Sequence, residues 1–420
     1  MVFEVAIIGA GLGGPALALE LLEVPNVKCT IYELRGEGYE QGQHISLAPN
    51  ALRVLENIGI LEKLQKMGNS YEDLHLRNAS GAQIVTFHNG NKDGYGFSAM
   101  RIHRHHVQRV LIEACQAKGV SIRHGMKIQG ISEDSSSDEV ELTFANGETA
   151  YASFVVGADG LHSIVREHVV KESTSIYAHM IGVTGYLQKR QLHPSANSIG
   201  LPSHFIGHNG FIAIMPSDVS GNEIGFFSTM DFGEERSKQE WDELFKNKDA
   251  IRSILRERFC KENGWCELVD SLCKSVGSDT LCSWPFYIAP QLPTWSTQSG
   301  RVLVIGDAAH AMIPTGGLGA SLAFEDAECL ALTFRRLGRS NFDLDAAPKL
   351  LKVWEGHRKQ RLALIQDFTN KNRRLRQPGG SRFSQYLKEW AIWLFFLFIG
   401  KGGQAEEIYR YDTATFQQLL

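Results

Sequence analysis

Residues 2–8 read Val-Phe-Glu-Val-Ala-Ile-Ile, and the next six, Gly9-Ala-Gly11-Leu12-Gly-Gly14, break that apolar run with four glycines. Pro15-Ala-Leu-Ala-Leu-Glu-Leu-Leu then carries helix-forming residues, with the proline in a first turn where its missing N–H is harmless. The apolar run predicts a strand buried on both faces, as in a parallel sheet. The turn fits G-x-G-x-x-G, and each glycine has a mechanical reason. Gly9 permits the tight turn, Gly11 lets a pyrophosphate approach the backbone, and Gly14 lets helix and strand pack closely. The free N–H groups and positive dipole end of the helix suit phosphate. A second strand is predicted over 28–33, ending in Glu33 about 20 residues beyond the turn, where a carboxylate can accept ribose hydroxyls. Leu12 in the turn and Arg35 just past Glu33 join these as candidate cofactor-binding residues. The turn alone does not separate NAD from FAD, and an ordinary strand–helix turn beside a surface glutamate has the same local pattern.

Periodicity divides the rest of the chain. Leu52, Leu55, Ile58, Leu61 and Leu64 predict one helix over 49–67, and another amphipathic helix covers 103–117. A strand over 150–156 runs into Gly157-Ala-Asp159-Gly160. Between 175 and 230, short apolar runs separated by Gly, Ser, Pro and Asn predict antiparallel sheet. A buried strand returns at 301–305, followed by Gly306-Asp307 and a long helix over about 320–337. The early pattern thus recurs late. The expected fold is α/β: a Rossmann-like nucleotide-binding domain from discontinuous segments 1–72, 100–172 and 295–370, an inserted and mostly antiparallel β substrate domain from 73–99 and 173–294, and a C-terminal helical segment over 371–420.

Composition narrows the partners. A net charge of −4 with dispersed Lys and Arg excludes the basic stripe that nucleic acid requires. The seven cysteines contain no C-x-x-C, and Cys260, Cys266, Cys273 and Cys282 match no zinc template. The cluster His103, His105 and His106 opens a helix without metal-like pairing elsewhere, so no metal site is expected. Reduced thiols and the absence of a cleavable leader before the glycine turn point to the cytoplasm. The apolar run 391–399 falls short of the ~20 residues that span a bilayer. It follows Arg373, Arg374, Arg376, Arg382 and Lys388, so two readings stay open: a helix packed on protein, or one lying on a membrane surface.

Three further motifs fix the reading. Ile102-His-Arg104, Gly157-Ala-Asp159-Gly160-Leu-His-Ser163-Ile-Val-Arg166 and Gly306-Asp307-Ala-Ala-His310-Ala-Met-Ile-Pro314 occur in this order, and Tyr409-Arg-Tyr-Asp412 lies near the end. With the glycine turn, the chain resembles the single-component flavoprotein aromatic hydroxylases, the para-hydroxybenzoate and salicylate hydroxylase family, in a fungal-type form. The resemblance implies FAD as cofactor and NAD(P)H as electron donor. It also implies contacts to these cofactors from Asp159, to the ribityl chain from Asp307, and to the flavin from Arg104. Gly317, Leu318, Gly319 and Ala320 follow as a loop whose backbone faces the ring, with Gln43 nearby. Two departures stand out: Gly317-Leu318-Gly319 replaces the common Gly-Gln-Gly, and Gln43-His44 replaces Ala-Gly. In the reaction so implied, NAD(P)H reduces the flavin, dioxygen is activated, and one oxygen atom reaches an aromatic or polycyclic small molecule. Epoxidation and rearrangement use the same scaffold. Arg190 occupies the place of a relative's phenolate-binding cation and is the candidate catalytic residue, whereas Met215-Pro216 stands where relatives have Tyr-Pro. A flavin dehydrogenase or reductase, or a flavoprotein interaction module without turnover, are the alternatives.

Overall fold

The computed structural model describes residues 2–39, 43–134, 138–194, 198–339, 344–377, 381–400 and 405–420. Its centre is a five-stranded parallel sheet in the order Val302–Val304, Phe154–Gly157, Phe3–Ile8, Val27–Glu33, Ser121–His124. Every strand pair in it is parallel. Val5, Ile7, Phe154, Val155 and Leu303 are buried, which explains the unbroken apolar runs. Helices Gly13–Leu21, Arg104–Ala117 and Gly319–Arg339 pack together beside this sheet. The two outer strands, Val302–Val304 and Ser121–His124, lie far apart in the sequence, so the nucleotide half is assembled from separated segments.

An antiparallel meander, Ile128–Glu133, Val140–Phe144 and Thr149–Ala152, shares the same core, with the Phe144 ring stacked 4.9 Å from Tyr32. Here the single strand expected over 150–156 needs correction. The chain bends at Ser153, whose N–H donates to Glu4 O at 2.8 Å, and Thr149–Ala152 stays with the meander while Phe154–Gly157 enters the parallel sheet. The half-exposed Tyr151 belongs to a one-sided sheet, and the fully buried Phe154 to a two-sided one. The helix expected over 49–67 is likewise two, Pro49–Asn57 and Leu61–Gln65. Gly59, at φ +81°, ends the first with a left-handed cap.

The second large sheet has seven strands: Cys282–Ile288, Ile176–Gln188, Glu223–Asp231, Gly210–Pro216, Ser203–Gly207, Asp73–Asn78, Gln83–His88. All neighbours are antiparallel except Ser203–Gly207 with Asp73–Asn78. Helices Lys238–Lys246, Lys248–Arg258 and Glu267–Ser275 give it a core of its own through Trp241, Leu255, Leu268 and Leu272. Three short strands, His44–Leu47, Ala99–His103 and Asn69–Tyr71, form a small sheet between the halves. Residue 371, the expected start of the tail, lies inside the continuous helix Ala347–Arg376, and Arg382–Ile399 follows as a separate helix. No described helix is long and apolar enough to cross a membrane.

Candidate functional site

The turn after Phe3–Ile8 is built as its spacing requires. Gly9 has φ +112°, and a Cβ there would lie 2.4 Å from Ala158 O. A Cβ on Gly14 would lie 2.1 Å from Gly9 O, so helix Gly13–Leu21 reaches its place only because the atom is missing. Glu33 closes the turn from the neighbouring strand: its carboxylate accepts Ala10 N at 2.7 Å and Arg35 N at 2.9 Å. Four lone-pair sites leave it free to accept more. Gln108 donates to Ala10 O at 2.6 Å from the adjoining helix. Ala10, Glu33, Arg35, Tyr39 and Gln108 are among the residues lining a cavity of about 220 Å³ at this end of the sheet.

The remaining candidates approach from other segments. Arg104 opens its helix with a guanidinium nitrogen 3.7 Å from where a Gly11 Cβ would be. Burial lowers its pKa, while the negative charge of Asp307 works the other way. Asp307 itself is exposed, at the start of the short helix Asp307–His310. Gln43 O accepts Arg104 N at 2.9 Å, and Gln43 Oε1 is buried without a partner among the described residues. Gly317, at φ +66°, has open space where a side chain would stand, and Gly319 and Ala320 begin the long helix. A glycine cradle, an orphaned buried acceptor and an exposed carboxylate suit an extended nucleotide with sugar-type hydroxyls.

Four further candidates have surroundings of another kind. The Leu318 side chain is buried with Ile365, Ile408 and Tyr409, which leaves only its backbone for a ligand. Leu12 is likewise turned into the core. Asp159 is turned inward: Oδ1 accepts Ser163 Oγ at 2.5 Å and Oδ2 accepts Ile164 N at 2.9 Å, capping helix Ile164–Val169. Burial raises its pKa against those hydrogen bonds. Arg190 lies exposed on the single turn Lys189–Gln191, where solvent screens its charge. Arg101, on the small sheet between the halves, is by contrast buried. Its Nη1 donates to Ser46 Oγ at 3.1 Å, its Nε has no partner among the described residues, and burial lowers its pKa to about 10.

The reading of the histidine cluster as unpaired also needs correction. His103 Nε2 lies 3.0 Å from His44 Nε2, and both lie 2.8 Å from Glu223 Oε1. Burial lowers the pKa of His44 to about 4, with the hydrogen bond to Glu223 opposing. For Glu223 burial acts upward, but hydrogen bonds with His103 and His44 outweigh it and hold the group at about 2. The one hint in the sequence was His44, standing where relatives have glycine.

A second missed group supports the third motif. Asp326 Oδ2 accepts Gly306 N at 2.9 Å and His310 Nε2 at 2.6 Å, while Oδ1 accepts Arg358 Nε at 2.7 Å. Glu325 accepts Arg358 at 2.8 Å, Arg361 at 2.9 Å and Asn50 at 2.6 Å. The closing segment seals this network. Tyr411 OH accepts Arg358 Nη1 at 3.2 Å, and the Arg361 guanidinium lies 4.2 Å from its ring centre.

Comparisons with known proteins agree with this geometry. A family model described as "FAD binding domain" matches residues 2–266 and 290–369. The chain is 28% identical over 381 residues to a 6-hydroxynicotinate 3-monooxygenase of Bordetella bronchiseptica, covering 89% of this chain and 92% of that one. It is 28% identical over 358 residues to a 6-methylsalicylate 1-monooxygenase of Aspergillus terreus, covering 80% and 76%. A salicylate hydroxylase substrate complex shares the fold at a TM-score of 0.79 and 23% identity, covering 100% of this chain and 98% of that one. The chain belongs to the FAD-binding-domain family, and the relatives it is similar to are monooxygenases.

Proposed function

We propose that this chain is an FAD-dependent monooxygenase that uses NAD(P)H and O2 to hydroxylate an aromatic or polycyclic small molecule. The observation that carries the reading is convergence: the turn 9–14 with Glu33, Arg104 from its helix, and Asp307 with the loop 317–320 come together from three distant segments. Bound there, FAD supplies the acceptor for the donor's electrons and the centre that activates dioxygen. Gly9, Gly11 and Gly14 hold its phosphates, Glu33 and Arg35 its adenosine end, and Asp307, Gln43, Gly317, Gly319 and Ala320 the ribityl chain and ring. Segments 1–72, 100–172 and 295–370 form this half, and 73–99 with 173–294 wall the substrate. Arg101 is better placed than Arg190 to stabilise a phenolate or carboxylate, since a cation acts more strongly away from water. Relatives acting on 6-hydroxynicotinate and 6-methylsalicylate support a small hydroxylated aromatic acid as substrate, and the Aspergillus relative supports a role in secondary metabolism.

The test is direct. Purified protein should be yellow, oxidise NAD(P)H faster with a hydroxylated aromatic acid present, and place one labelled oxygen from O2 in the product. Asp307→Asn should lower flavin retention. NAD(P)H consumption without label assigns a dehydrogenase or reductase. No reduction of bound flavin assigns an interaction module, and a colourless protein that takes up no added FAD overturns the reading.

We further propose that the enzyme works in the cytoplasm against a membrane surface; the seven described cysteines, all free thiols, support the compartment. Helix Arg382–Ile399 docks through Ile392 and Phe396 on Ile206, Phe211 and Phe87 of the seven-stranded sheet. Trp390, Trp393, Leu394, Leu397 and Phe398 remain exposed, the last at 82%. Aromatic and aliphatic groups beside Arg373, Arg374, Arg382 and Lys388 suit an anionic lipid surface. The protein should sediment with vesicles of phosphatidylcholine and phosphatidylserine, and Trp390→Glu with Phe398→Glu should release it. A concentration-dependent dimer without vesicle binding would give this face to a second copy instead.

A further inference from the structure

The junction between the halves holds a side-chain triangle that the nucleotide site does not use. Its corners are His44 Nε2, His103 Nε2 and Glu223 Oε1, with edges of 3.0, 2.8 and 2.8 Å. An imidazole nitrogen has one in-plane direction, filled by either a lone pair or an N–H. The three edges therefore cannot all be hydrogen bonds. If both rings donate to Glu223, two N–H groups crowd each other across 3.0 Å. If one ring donates to the other, its bond to the carboxylate is lost. A cation capping the triangle takes a lone pair from all three corners at once. The spacing suits one: atoms about 2.1 Å from a common ion sit roughly 3.0 Å apart at a right angle and roughly 3.4 Å apart at the tetrahedral angle. The observed edges fit the right-angled, facial arrangement, which leaves further positions open.

The surroundings favour the same occupant. The His44 side chain is fully covered, and His103 and Glu223 are 15% and 17% exposed. The Tyr186 ring meets both imidazoles edge-on at 5.4 and 5.3 Å. Gly225 makes room for His44, since a Cβ there would lie 3.0 Å from His44 Nδ1. Two imidazoles and one carboxylate select a transition metal over Ca²⁺ or Mg²⁺, which require oxygen ligands. His44 Nδ1 has no partner to orient it among the described residues, and metal-binding imidazoles usually have one. Affinity about 10–100-fold below that of a fully supported site follows.

We propose that His44, His103 and Glu223 bind a divalent transition-metal ion of the zinc class. The ion ties strands His44–Leu47 and Ala99–His103 of the nucleotide half to Glu223–Asp231 of the substrate sheet. The full-length protein, stripped with EDTA and equilibrated with low-micromolar Zn²⁺, should retain about one ion per chain by mass spectrometry of its metal content. Glu223→Gln and His103→Asn should each weaken retention by about 100-fold or more, because each removes a ligand. His105→Asn should not, since its ring lies 4.9 Å from His103 outside the triangle. Zn²⁺ should also raise the melting temperature of the wild type and of His105→Asn alone. No stoichiometric retention by the wild type, or equal retention by all three variants, overturns the site and leaves a hydrogen-bonded cluster with adventitious surface binding. Should Glu223→Gln fail to fold, His103→Asn against His105→Asn decides. Flavin content, measured in parallel, keeps this outcome separate from the cofactor assignment.

Discussion

Arg358→Met should destabilise the protein by about 3–5 kcal/mol, the range for breaking a buried ion pair from one side. Arg358 is fully buried and donates to both Asp326 and Glu325, which are themselves fully covered. Methionine fills much of the volume, so the loss reports charge rather than a cavity. Glu325 keeps Arg361 and Asn50, and Asp326 keeps His310 and Gly306 N, which holds the effect within that range instead of abolishing folding. Burial pushes the Asp326 pKa up, but the charges of His310 and Arg358 outweigh it and hold it at about 2, below its ordinary 3.8. The folded value is the depressed one. Its stabilisation is therefore complete above pH ~4 and is lost as pH falls towards 2. Urea unfolding of wild type and Arg358→Met should accordingly differ most near neutrality and converge at the acid end. A gap unchanged between pH 6 and 2.5 would remove the network from the account. Because Asp326 also fixes Gly306, beside Asp307, the variant should lose flavin more readily than wild type.

The same network shows what the sequence could and could not disclose. The glycine turn, Glu33 and the buried strands are local: each follows from spacing within about thirty residues, and the structure builds them where the spacing puts them. Glu325 and Asp326 were visible as two charges inside the apolar run Leu322-Ala-Phe-Glu-Asp-Ala, an anomaly that signals a buried partner. That partner was hidden. Arg358 and Arg361 lie in Gly-His-Arg-Lys-Gln-Arg, which reads as a solvated helix face. The His44–Glu223 contact joins residues 179 apart, beyond any periodicity. The division of 150–156 into two strands turned on which sheet covers each residue, a tertiary fact. Arg190 and Arg101 look alike in sequence, and only the fold exposes one and buries the other.

Gly14→Ala should cost about 3 kcal/mol or more and strip the protein of flavin, although it adds a single methyl group. The added Cβ would stand 2.1 Å from Gly9 O and 3.2 Å from Ile7 Cγ2. The nearer atom is backbone and cannot rotate away, so helix Gly13–Leu21 must retreat from strand Phe3–Ile8. That retreat withdraws the helix N–H groups from the phosphate site and opens the contact with Gly319–Arg339. Gly13→Ala, one residue away, is the control. Its Cβ would meet Ala323 Cβ at 3.6 Å, an ordinary contact, so a stability change under about 1 kcal/mol is expected. Denaturation midpoints and flavin-to-protein absorbance ratios for the two variants measure the contrast. Equal losses from both would mean that helix propensity or general crowding governs the turn. A loss confined to Gly14→Ala ties cofactor retention to the close backbone approach of Gly14 to Gly9.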